Sequence, residues 1–246
     1  MRSALGPGAP ATGFLIAACF ALLAHFRVLA AEVPIWDDAV FLLQDARVRD
    51  LSSVVTAFGD SFFGGLWQNA MYRPVVNASF AIDWWLSGSE PGAPNLAWFH
   101  TVSLLLHAAN AGLAYLFLAN LTGRKLGAPI LAACLFAVHP LAVEPTAWLV
   151  GRGDLFATFF GLLGGILLLR SPGNLRLLVP AVLCYALSLF AKASAATMPA
   201  LVALAVVAYR GVPPRQVLGR RLGPRFLVFA LPAILWLRSE ERRVGK

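Results

Sequence analysis

The chain of 246 residues is 59% hydrophobic and only 13% charged, with a mean hydropathy of +0.73. Soluble domains carry about 25% charged residues, so this balance excludes an ordinary soluble domain and points to a polytopic membrane protein. A net charge of +8 would suit a nucleic-acid binder only on a soluble module with a basic face; none is present, so topology has to explain the charge.

Taken in order, Gly13–Ala31 is an apolar run long enough to span a bilayer, interrupted near its end by His25 and Arg27. No small-residue cleavage site precedes the acidic segment that follows, so it reads as a first span and not as a signal peptide. Residues 32–96 form a long extramembrane loop holding Glu32, Asp37, Asp38, Asp45, Asp50, Asp60, Asp83 and Glu90. Apolar pieces such as VFLL, SFFGGLW and IDWWL are mixed through it, which suits short helices lying on the membrane surface. Pro74 can start one, carrying Val75, Phe80, Ile82, Trp84 and Trp85.

Ala97–Asn120 is the second expected span. His100, Ser103, His107 and Asn110 recur in it at three- and four-residue spacing, which places them on one helical face. Such a stripe faces other helices as hydrogen-bonding glue or lines a cavity. Leu126–Val138 and Leu155–Leu169 are short third and fourth runs, as expected of tilted or broken helices. Leu175–Ala191 and Ala193–Tyr209 give the fifth and sixth, separated only by Lys192, and Phe226–Leu237 begins a seventh. Cys19, Cys134 and Cys184 fall inside apolar runs and read as small core residues, with no disulfide or metal framework. The closing SEERRVGK turns abruptly polar; residues 1–238 are expected as one membrane domain, with 239–246 as a truncated or non-native tail.

Between the third and fourth runs lies HPLAVEPTAWLVGRGD, which puts His139, Glu144, Arg152 and Asp154 among apolar neighbours. Ionisable groups at membrane depth are costly and mark pairs, wet cavities or ligand sites. Pro140 and Pro145 break any continuous helix and free backbone carbonyls, which are tolerated there only inside protein or facing water. The competing reading is that His139-Pro140 ends one span and Arg152 pairs with Asp154 at the interface. If the N-terminus is cytoplasmic, the basic connections at Arg124/Lys125, Arg170/Arg176 and Arg210 to Arg225 are cytoplasmic as well. The loop, the central cluster and Lys192 then share the opposite face.

Asp37 and Asp38 follow the first span. Paired carboxylates beside a membrane can act as base and orienting partner, or can simply be first-turn acids of a helix over AVFLL. Carboxylates and cations meeting at one boundary suit transfer from a lipid-linked phosphate.

WDDAVFL, YRPVVNASFAIDWWLSG, FHTVSLLLHAANAGLAYLFL, LFAVHPLAVEPTAWLVGRGDLFATFF and LFAKASAATMPALVALAVVAY resemble, in that order, the membrane part of the transmembrane and tetratricopeptide-repeat mannosyltransferases and their bacterial relatives. The resemblance covers roughly residues 32–210. It implies an all-α, multi-span GT-C glycosyltransferase that takes sugar from a polyprenyl phosphate and passes it to a protein or glycan acceptor. It places the catalytic carboxylate in the first non-cytoplasmic loop, at Asp37 or Asp38. The His-Pro…Glu and Gly-Arg-x-Asp pattern falls on His139, Pro140, Glu144, Gly151, Arg152 and Asp154. Where the family has Ser-Lys-Pro, this chain has Ala191-Lys192-Ala193, so only the lysine matches. Because the topology puts Arg152 and Lys192 on the site face, they are expected, with His139, to hold donor phosphate, with Glu144, Asp154, His107 and Arg73 in support. No metal set or cofactor is expected. The implied setting is a bacterial inner membrane, with tetratricopeptide repeats beyond this chain. The rival expectations are a transporter or lipid flippase, or a non-catalytic scaffold.

Overall fold

The computed structural model describes residues 9–32, 37–59, 71–123, 126–171, 174–211 and 223–244. The principal helices are α1 (Ala9–His25), α2 (Pro74–Ser87), α3 (Leu96–Thr122), α4 (Ala128–Ala137), α5 (Val143–Ala147), α6 (Arg152–Arg170), α7 (Leu178–Ala191), α8 (Met198–Arg210) and α9 (Gly223–Val244). No strand occurs among the described residues. The segments Pro10–Ala30, Leu96–Thr122, Leu149–Arg170 and Ala193–Arg210 are long and apolar enough to cross a bilayer. Ala128–Ala137 with Pro140–Ala147, bent by 50°, makes a fifth, and Leu175–Ala191 and Gly223–Ile234 are shorter apolar helices. These are the seven runs expected, and the chain is an all-α integral membrane protein.

Local chemistry sets the breaks. Asn95 caps α3 by accepting from the Trp98 N–H at 3.2 Å, and Gly123 ends it in the left-handed region at φ 69°. Pro140 cannot continue α4, and the His139 ring caps the following turn by accepting from the Leu141 N–H at 3.2 Å. Lys192 is extended, separating α7 from the turn Ala193–Thr197 that leads into α8. The last helix runs from Gly223 to Val244.

α3 is the central helix, packed on α1, α4, α5 and α6. α1, α3 and α4 meet through small side chains, Ala17, Ala21, Ala108, Ala111, Ala133 and Ala137. α6 and α7 approach closely, because a Cβ at Gly164 would lie 3.0 Å from the Ala181 carbonyl oxygen. Ser188 ties the same pair by donating to the Ala157 carbonyl at 2.6 Å.

The first loop is folded onto one end of this bundle. Phe41, Leu42, Val48, Val76, Phe80, Trp84, Phe99, Leu149 and Val150 form one apolar cluster. α2 begins at Pro74, as expected, but its buried stripe is Val76, Phe80, Ala81, Asp83 and Trp84, while Ile82 and Trp85 point outward, Trp85 being 66% exposed. The expected piece SFFGGLW lies outside the described residues, as do Trp36, Arg124 and Lys125. The cysteines correct another expectation: Cys19 is exposed and Cys134 and Cys184 are half-buried, all with free thiols. A helix facing lipid is apolar on its outer side too, so an apolar neighbourhood in sequence does not mean the interior.

Candidate functional site

The ends of α1, α4 and α7 and the starts of α3 and α6 meet beneath the first loop, and the polar residues singled out above gather there. Asp38 is fully buried, and its carboxylate accepts from the backbone N–H groups of Leu149 (2.9 Å) and Val150 (2.7 Å). Burial pushes its pKa up, partly offset by those two amides. Asp38 therefore clamps the loop to the turn before α6, and both oxygens are engaged.

Arg152 is likewise engaged. It opens α6 with no accessible surface, and each guanidinium nitrogen is used: Nε donates to Ser103 Oγ at 3.2 Å, one Nη to the Phe99 carbonyl at 2.7 Å and the other to the Asp83 carboxylate. The Phe80 ring covers its face, 4.4 Å from the guanidinium carbon. Such a group cannot meet a phosphate without unpacking this core, and it does not pair with Asp154. The partner is Asp83, one of the acidic residues of the first loop. The signal was there: Asp83 falls on the same helical stripe as Val76 and Phe80, and a charge within an apolar stripe requires a partner.

Asp154, two residues further along α6, pairs instead with Lys192 at 2.6 Å, the two side chains being 42% and 31% exposed. Arg73, just before α2, lies against the same place, since a Cβ at Gly153 would come 3.8 Å from its Cδ and 3.1 Å from the Ala191 carbonyl. Burial lowers the Arg73 pKa, while the Asp154 and Asp37 carboxylates counter it by favouring the charged form. Arg73 and the Lys192–Asp154 pair thus lie together at the start of α6, with the Asp37 carboxylate near enough to Arg73 to favour its charge. Arg73, expected only in support, feels both acids.

Asp154 also lines a cleft of about 290 Å³, together with His107, Asn110, Phe136, His139, Leu141, Ala142, Pro145, Leu155 and Thr158. His139 is exposed at the cleft, and Glu144 is exposed on the adjoining turn. His107 is buried, with Nε2 2.9 Å from the Ala137 carbonyl, and His25 approaches that carbonyl at 3.1 Å with its ring edge-on, centroids 4.9 Å apart. The α3 stripe is therefore interhelical glue for the most part: Ser103 to Arg152, His107 to α4 and Asn110 to the Leu155 carbonyl of α6 at 2.9 Å. His100 is buried against the Thr146 and Ala31 backbone.

No family model matches the chain, and no solved structure matches it significantly. Among curated proteins it is 29% identical over 153 residues to protein O-mannosyl-transferase TMTC2 of Mus musculus, covering 61% of this chain and 18% of that protein. It is 32% identical over 154 residues to protein O-mannosyl-transferase TMTC4 of Homo sapiens, covering 51% and 20%. With protein O-mannosyl-transferase TMTC1 of Mus musculus it shares 32% over 174 residues, covering 66% and 18%. The chain spans about a fifth of the length of these curated relatives.

Proposed function

We propose that this chain is the membrane part of a GT-C glycosyltransferase, moving a sugar from a polyprenyl phosphate to a hydroxyl of a protein or glycan acceptor on the non-cytoplasmic side. The Lys192–Asp154 pair, with Arg73 beside it and Asp154 lining the cleft, is the observation that carries this reading. The likeness to proteins named O-mannosyl-transferases supports it and makes mannose the sugar of choice. Integral membrane placement suits a donor whose lipid tail stays in the bilayer.

An acceptor hydroxyl is a weak nucleophile at neutral pH and needs a base. Asp37 takes that role, because Asp38 has both oxygens filled by backbone amides. As the acceptor oxygen bonds to the anomeric carbon, Asp37 removes its proton. The bond from that carbon to the phosphate oxygen breaks, with inversion, and the electron pair leaves on the polyprenyl phosphate. Arg73 and Lys192 neutralise that leaving group, Arg73 with a planar fork and Lys192 as a point charge, with the His139 ring beside them. Arg152 holds α2, α3 and α6 together behind these groups.

The test is Asp37→Asn in the full-length protein, correctly inserted. Turnover falls by about 10²–10⁴-fold, the usual size of general-base catalysis, while donor binding persists. Near-normal turnover overturns the assignment, and loss on Glu144→Gln instead moves the base to Glu144. The bent pair around His139-Pro140 favours a second reading, a transporter or flippase with a broken helix at its substrate path. Movement of labelled lipid without any glycosylated acceptor would select it.

A further inference from the structure

Asn110 is 1% exposed and lines the cleft from α3. One end of its amide faces the Leu155 carbonyl at 2.9 Å. A carbonyl only accepts, so that end must be the NH2, which fixes Oδ1 as the other end. Oδ1 is buried and has no hydrogen-bond partner among the described residues. A buried acceptor left unmet costs about 1–3 kcal/mol, and the residue that carries it lines the cleft, so an occupant of the cleft is a source for the missing donor.

The neighbouring groups define that occupant. His139 accepts from the Leu141 N–H through Nδ1, so its neutral ring carries the proton on Nε2, a donor. Asp154 adds acceptor oxygens and Thr158 a hydroxyl that can do either, while Phe136, Leu141 and Leu155 supply apolar wall. Acceptors and donors set around an apolar wall suit a molecule that is hydroxylated on its edge and C–H on its faces. The volume of about 290 Å³ sits at the low end of the roughly 300–1,000 Å³ of small-molecule sites, so it takes one ring and not a chain of them.

We infer that this cleft is the hexosyl subsite, with Asn110 Oδ1 accepting a hydrogen bond from one ring hydroxyl of the donor sugar. The inference rests on the glycosyltransferase reading above and adds to it which part of the substrate lies where. The sugar ring sits between α3 and α6, with its phosphate toward Lys192 and Arg73.

The test uses full-length protein in nanodiscs and two ligands, a polyprenyl-phosphate hexose and the same polyprenyl phosphate without sugar. The wild type binds the sugar-bearing lipid about tenfold more tightly, the size expected of one buried hydrogen bond completed by the ligand. In Asn110→Ala this ratio falls to about one. If the ratio survives in Asn110→Ala, the inference is wrong and the glycosyltransferase reading stands. A wild type that transfers sugar yet shows no preference overturns the inference alone; one that neither transfers nor prefers overturns both. Because Asn110→Ala also removes the tie to Leu155, a second measurement uses unaltered protein and donors lacking single ring hydroxyls. One position should cost about tenfold in affinity, and a flat series overturns the inference, as does a preference for an acceptor serine peptide over the sugar lipid at this cleft.

Discussion

The two ends of the bundle handle charge in opposite ways. At the end covered by the first loop, Arg152 is buried on Asp83, and Lys192 pairs with Asp154. At the other end the arginines cap helix termini: Arg210 donates to the Asn120 and Leu121 carbonyls (2.9 and 3.3 Å) at the close of α3, and Arg170 to Asn120 Oδ1 at 2.9 Å. Capping places a cation where the last carbonyls lack partners and the helix dipole is negative, at modest gain and without desolvation. Burying an ion pair is costly and commonly near neutral for stability. The comparison teaches that charge at the loop-covered end is placed for geometry, whereas charge at the other end finishes helices.

Sidedness gives the sharpest way to break this contrast. With the three native cysteines replaced, a cysteine at Glu90 should label only from the non-cytoplasmic side and one at Leu126 only from the cytoplasmic side, an all-or-none difference. Labelling of both from one side would end the contrast between the two ends. The next largest effect is Arg152→Met, which leaves Asp83 buried without its partner and should cost about 3–5 kcal/mol in a reversible unfolding assay. Adding Asp83→Leu should recover most of it, and a double variant as unstable as the single would show that Arg152 is more than Asp83's partner.

Asp38→Asn should cost about 1–3 kcal/mol, since Asn offers one acceptor where two amides donate and turns its own NH2 on the second. Unchanged thermal stability would remove the clamp. Lys192→Ala, on a pair open to solvent, should change stability by at most about 1 kcal/mol while weakening donor-phosphate binding clearly. The reverse pattern would make Lys192 structural. Arg210→Ala at the opposite end should cost only about 0.3–1 kcal/mol and leave turnover intact, as measured by thermal shift and transfer rate.

The apolar runs, the break at His139-Pro140, the start of α2 at Pro74 and the interruption at Lys192 are all legible in the sequence, because hydropathy and proline act over a few neighbouring residues. The gathering of His107, His139, Asp154 and Lys192 at one end follows from alternating helix directions. What each polar side chain does there is a different matter. Arg152 and Asp83 are 69 residues apart, and Asp38 reaches amides 111 and 112 residues on. No local pattern distinguishes the arginine locked behind the site from the arginine beside it. The apolar helices carry little polar stripe to mark their inner face, since lipid and protein interior accept the same side chains, so Cys19 and Ala17 look alike until neighbours are in place. Sequence alone determined the class of molecule and the points where its helices break, because those depend on transfer to lipid and on backbone donors. Only tertiary structure decided that Asp38 and Arg152 are held in the frame while Asp154 faces the cleft and pairs with Lys192. Pairing across distant segments is settled by which partners packing brings within hydrogen-bond reach.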